Sequence, residues 1–235
     1  MRAIHILLAV QTIAVLLTTL NRLGPWTTGY VAPNQFLRWV DLHNMLTIPL
    51  ISLTSFYLIK KQLERGGPAA GARGIAAHLA LNLVFVLGIY VLGASYGAHE
   101  VTNYLHIRFC PEGPVDDLCR IIVFVDDDFS HWVFFTGFVM INAALLLLQA
   151  LFPYKLHVGL RDFALLVLNG LFIGLGIFAN LAFEEIGFDL YVVALLAALA
   201  LFLYWRRGRQ PLVVYYATAY LLGLVGTGVV KLLAP

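Results

Sequence analysis

Charge is what this sequence has least of. Asp, Glu, Lys and Arg together make up 12% of its 235 residues, against roughly 25% in a soluble domain. A large buried core cannot explain the deficit, because a soluble fold still needs a charged surface. A soluble globular fold is thereby excluded, and an integral membrane protein remains. The net charge of +2 is divided among short segments, which excludes the extended basic face that nucleic acid requires. Only two cysteines are present, too few for a multi-bridge framework or a cysteine-rich zinc site. No Pro/Ser-rich linker or low-complexity tract interrupts the chain, so residues 1–235 are expected to form one domain. The HExxH motif is also missing. His99-Glu100 has Asn103 at i+4, which excludes the zincin arrangement.

Apolar runs supply most of the rest. A membrane helix needs about 20 mostly apolar residues, and seven stretches qualify: Ile4–Leu20, Phe36–Ile59, Gly74–Ala98, His131–Leu151, Phe163–Phe183, Leu190–Trp205 and Leu212–Leu233. They predict an all-α, seven-transmembrane helix bundle. Leu20-Asn21-Arg22 offers no small-x-small cleavage site, so the first stretch reads as a retained helix. Basic residues favour the connections after spans two (Lys60, Lys61, Arg65, Arg73), four (Lys155, Arg161) and six (Arg206, Arg207, Arg209). The opposite side has Arg22, Arg38, Arg108 and Arg120. The positive-inside rule then gives a cytoplasmic N-terminus and an external C-terminus, in the cell (cytoplasmic) membrane. Trp26, Trp39, Trp132 and Trp205 fall near span ends, where indoles favour the headgroup layer. Gly170, Gly174 and Gly176 in span five, and Gly223, Gly226 and Gly228 in span seven, offer small surfaces for close packing.

The scarce polar residues are concentrated between His99 and His131. That stretch has three of the seven histidines, both cysteines, and seven of the thirteen carboxylates (Glu100, Glu112, Asp116, Asp117, Asp126, Asp127, Asp128). His99 and His106 are seven residues apart, so on a continuing helix they share a face with Asn103. Asp127 and Asp128 precede His131 by four and three residues, which pairs a carboxylate with an imidazole; Asp128-Phe-Ser-His131 has the i, i+3 spacing of the Glu-x-x-His motif in di-metal bundles. His99, His106, Asp127, Asp128 and His131 are therefore candidate ligands for a divalent metal, zinc first, with iron or manganese as alternatives. The competing reading is that Asp126–Asp128 cap span four while the histidines bond loop backbone. The spacing leaves the three aspartates equivalent. His43 is a further candidate ligand, and Asp41 pairs locally with Arg38 or supports the site. His78, near the inner end of span three, is expected to meet a headgroup or interfacial water. Cys110 and Cys119 flank a Pro/Gly-rich loop and are expected to form a disulfide that pins it over the site.

Glu184 and Glu100 are the candidate acid–base residues. Together these features predict a membrane-embedded metal-dependent hydrolase with its site at the external face. Membrane lipids surround it, and the substrate is a lipid or amphiphile. Iron-dependent oxidation would use similar ligands. The alternative is a metal-free transporter, channel or ligand-binding receptor, against which stand the strongly apolar middles of the spans.

Overall fold

A computed structural model describes residues 1–65, 71–155, 157–183 and 187–233. Among these, seven helices are long and apolar enough to cross a membrane: Arg2–Leu23, Trp39–Glu64, Gly71–Phe109, Asp117–Leu151, Leu160–Phe183, Phe188–Arg207 and Pro211–Leu233. They are called the first to seventh spans below. Each overlaps one of the seven expected stretches, and the chain is a multi-pass helical membrane protein by their length and composition. Trp26, Trp39, Trp132 and Trp205 are all exposed, as the interfacial reading requires.

The largest departure from the expected boundaries lies at the polar stretch. Hydropathy stops the third span at Ala98 and starts the fourth at His131, yet helix continues to Phe109 and begins again at Asp117. Between Ala98 and Phe109 the chain has no Gly or Pro to break the helix. The third span, at 39 residues, is about 58 Å long at 1.5 Å per residue, well beyond a hydrocarbon core of about 30 Å. The polar stretch is thus two helical extensions joined by the short connection around Pro111–Val115.

The fourth and seventh spans are central, with half of their apolar windows buried inside the bundle. Leu145, Leu146, Leu148 and Tyr220 are fully buried there. Glycines set how closely spans approach. A Cβ on Gly170 or Gly174 would meet the seventh span at Tyr215 O (2.7 Å) or Ala219 O (2.9 Å), and one on Gly223 would meet Ile177 at 2.5 Å. Gly226 likewise packs on Phe178, but Gly176 has only an ordinary contact with Val15 and Gly228 faces open space. A second close approach was not read from the sequence. Gly137 of the fourth span has Leu92 backbone N 2.5 Å from an ideal Cβ, and Gly88 faces Ile141. Gly137→Ala should therefore overpack this contact and cost about 1–3 kcal/mol. Gly228→Ala should leave the thermal unfolding midpoint in detergent unchanged.

Polar bonds tie the first span to its neighbours at mid-depth. Gln11 Nε2 donates to Ser52 O at 2.8 Å, and Thr12 Oγ1 donates to Asn169 Oδ1 at 2.9 Å. At the end bearing Glu64, Lys60 Nζ lies 2.6 Å and His78 Nε2 2.7 Å from the same Glu64 oxygen. His78 is therefore engaged within the bundle by Glu64, the carboxylate available one connection away.

Candidate functional site

At the opposite end, the two helical extensions build a polar cavity. Cys110 and Cys119 form a disulfide, with Cα atoms 5.6 Å apart, across the connection. The Asp116 side chain accepts from Cys119 N–H at 2.7 Å and caps the helix that follows. Within the fourth span the chain then makes a widened turn at Phe124–Phe129, where Ser130 N–H donates to Val125 O. The second span has the same feature at His43–Thr47, with Ile48 N–H donating to His43 O. Such i→i+5 turns are rare and recur at functional sites. Here one begins two residues before Asp126.

The cavity measures about 340 Å³ and includes Arg22, Tyr96, His99, Glu100, Asp126 and His131 in its lining. Asp126 is the aspartate that faces inward, at 2% exposure, whereas Asp127 and Asp128 are exposed. His106 Nδ1 lies 2.9 Å from Asp126 Oδ2 and 3.9 Å from Asp127 Oδ1. Asn103 Nδ2 and Thr102 Oγ1 each reach Asp126 at 3.5 Å. Three ligand atoms, one each from His106, Asp126 and Asp127, all lie within 4.8 Å of one another. One imidazole nitrogen and two carboxylate oxygens are donors that a divalent cation could use.

His131 Nδ1 is 2.7 Å from the Asp127 carbonyl oxygen. A carbonyl only accepts, so Nδ1 is the donor, and the tautomer that makes this bond has its lone pair on Nε2. The His131 and His99 rings lie with centroids 5.0 Å apart. Glu100 is buried and held by Arg22 Nη2 at 2.5 Å. His99 Nδ1 sits 3.2 Å from the same carboxylate oxygen and 3.3 Å from Arg22 Nη2. A neutral His99 donates to Glu100 as one tautomer and accepts from Arg22 as the other.

The sequence-derived candidates thus divide. His99, Glu100, Asp127 and His131 line one cavity, and His106 joins it through Asp126 and Asp127. Asp128 is exposed and is not brought to the cluster. Glu184, with its neighbour Glu185, lies outside the described residues. Among the described residues that follow, Asp189 in the first turn of the sixth span is buried; its Oδ1 accepts from Leu190 N–H at 2.8 Å while its Oδ2 has no partner among the described residues. His43 is turned elsewhere: it bonds Thr47 Oγ1 at 3.1 Å, stacks on Trp39 and lines a separate groove with Leu17 and Leu20. Asp41 takes the local partner. Arg38 Nε and Nη2 bind its two oxygens at 2.8 and 2.7 Å. That hydrogen bond raises the Arg38 guanidinium above its ordinary value against the opposing effect of burial.

Thr18, Arg22, Ser95, Tyr96, Phe134 and Asn180 are the cavity residues that sequence reading missed. Hydropathy assigns Arg22 to a connection, yet it lies in the last turn of the first span and reaches across to Glu100. A single arginine closing an apolar run three residues after Thr19 was the available signal. No known protein family, curated protein or solved structure matches this chain.

Proposed function

We propose that the polar cavity is the site of a metal-dependent hydrolase acting on a lipid or amphiphile. In this reading His106, Asp126 and Asp127 hold a divalent cation, zinc first and iron or manganese otherwise. The observation that carries it is the convergence of one imidazole and two carboxylate atoms within 4.8 Å, beside a cavity of about 340 Å³. Three protein ligands with a remaining open position are the usual donor set of a catalytic zinc site. His106 Nδ1 and Asp126 Oδ2, now 2.9 Å apart, would have to separate by a few tenths of an ångström for both to bind at about 2.0–2.2 Å. A bound cation would supply Lewis acidity to the reacting carbonyl or phosphoryl group. His131, with its Nε2 lone pair available, is the base that takes a proton from water in this scheme. Glu100, a sequence candidate for that task, is better read as a positioning residue because Arg22 occupies its carboxylate.

The proposed orientation puts this site outside and the N-terminus in the cytoplasm. Two independent features support it: the disulfide at the site end, a bond that persists in oxidising compartments, and the basic residues Lys60, Lys61, Lys155, Arg206 and Arg207 at the other end. A cell membrane satisfies both.

A second reading is a metal-free ligand-binding or transport site. It is favoured by one observation, that the His106–Asp126 hydrogen bond at 2.9 Å already satisfies both groups. Plasma mass spectrometry on detergent-purified protein without a histidine tag separates the two readings. About one equivalent of zinc, iron or manganese, lost in His106→Ala, is the expected result. Metal below a tenth of an equivalent in the unmodified protein, even after zinc supplementation, would leave the metal-free reading.

A further inference from the structure

A second cavity, of about 310 Å³, lies against the first and is apolar in character: Phe36, Leu37, Met45, Val101, Leu105 and Phe109 supply its hydrophobic lining. Glu100 lines both cavities. The third span divides its faces between them. Val101, Leu105 and Phe109 recur every four residues on the apolar side, while Ser95, His99 and Asn103 do so on the polar side. Each volume lies within about 300–1,000 Å³, the range of small-molecule sites.

The polar residues along the apolar groove are already engaged. Asp41 is taken by Arg38 and Glu100 by Arg22. Tyr104 hydroxyl and Arg108 Nη1 both donate to the Gln35 carbonyl. Gln35 is the one non-glycine among the described residues with positive φ, at 58°. That sparsely populated conformation costs energy and persists where surrounding contacts enforce it. Here those contacts fix the lip of the groove, because Phe36 and Leu37 follow directly. The groove is therefore a built feature with no hydrogen-bonding demand of its own, and it opens beside exposed Phe36, Val101 and Phe109.

We infer that the groove between the second and third spans is the tail subsite for the same amphiphile whose head enters the polar cavity, with Glu100 at the boundary between head and tail. The inference rests on the reading above that the cavity takes the head of an amphiphile. It narrows that substrate to one whose apolar chain fits this groove. The tail subsite determines which chains bind, and the cation site determines whether they react.

The test is binding of a pyrene-labelled fatty acid to full-length protein in phosphatidylcholine nanodiscs, followed by energy transfer from tryptophan, with metal content measured on each sample. Saturable binding is expected for the unmodified protein. Val101→Phe/Leu105→Phe should weaken it at least tenfold. Phe36→Ser, an exposed change at the lip that leaves the helices intact, should weaken it about threefold or more. Asp126→Asn should lose metal and keep the probe. Unchanged affinity in both groove variants, or no saturable binding at all, overturns the tail subsite. Unchanged probe binding together with conversion of a dimer to a monomer in the Phe variant would make the groove an interface between copies, and the inference falls. Absent metal with intact, groove-dependent probe binding removes the hydrolase reading alone.

Discussion

Arg22→Ala is expected to destabilise the protein by about 3 kcal/mol. Glu100 has 4% side-chain exposure and receives Arg22 Nη2 at 2.5 Å. Removing one partner of a buried ion pair leaves the other charge desolvated and costs roughly 3–5 kcal/mol. Two features set the lower end of that range here. The Arg22 side chain is itself 42% exposed, so water already reaches one end of the pair. His99 Nδ1, 3.2 Å from the same oxygen, can also take up part of the carboxylate's demand. Arg22→Ala/Glu100→Gln should recover most of the loss, since the double variant no longer buries an unpaired charge. Thermal or denaturant unfolding in detergent measures both. A cost below about 0.5 kcal/mol for the single change would class the pair with solvent-screened surface bridges, and the polar cavity would then be open to bulk water along its Arg22 wall.

Arg22 also shows why some parts of this molecule are legible in the sequence and others are not. The seven spans were legible because hydrocarbon imposes one local requirement, about 20 apolar residues in a helix, and each of the seven helices overlaps one expected apolar stretch. The disulfide was legible because Cys110 and Cys119 bracket a connection short enough to close on itself. Counting helical turns placed His99 and Asn103 on one face of the third span, and both line the polar cavity. Three things did not follow. A charge at a span end reads as loop until a partner across the bundle is known, and Glu100 lies 78 positions from Arg22. The i→i+5 turn at Phe124–Phe129 adds a residue to one turn, so the 3.6-residue count that grouped Asp127 and Asp128 with His131 was applied across a register shift. Close approach at Gly88 and Gly137 depended on which span is the third span's neighbour, and one apolar helix face looks like another before packing is known.

That register shift gives the strongest test of the proposed cation site, in the three consecutive aspartates. Asp126→Asn should lower zinc affinity by about a hundredfold or more. Even a residue one shell removed from a metal commonly costs 10–100-fold, and Asp126 offers the oxygen nearest His106 Nδ1, at 2.9 Å. Asparagine keeps the shape and one acceptor oxygen, so the unfolding midpoint should move little while the charge that a cation requires is gone. Asp127→Asn should have a smaller effect, because its Oδ1 stands 3.9 Å from the same nitrogen and its side chain is more than half exposed. Asp128→Asn should have none. Competition with a chelator of known affinity measures all three. If the three variants instead bind zinc equally, none of the aspartates holds the cation, and because the helix already begins at Asp117 they do not act as N-terminal acids either. If Asp126→Asn alone lowers the unfolding midpoint and no variant binds zinc, then Asp126 serves as the hydrogen-bond partner of His106. The cavity would then be metal-free and work through imidazole and carboxylate alone.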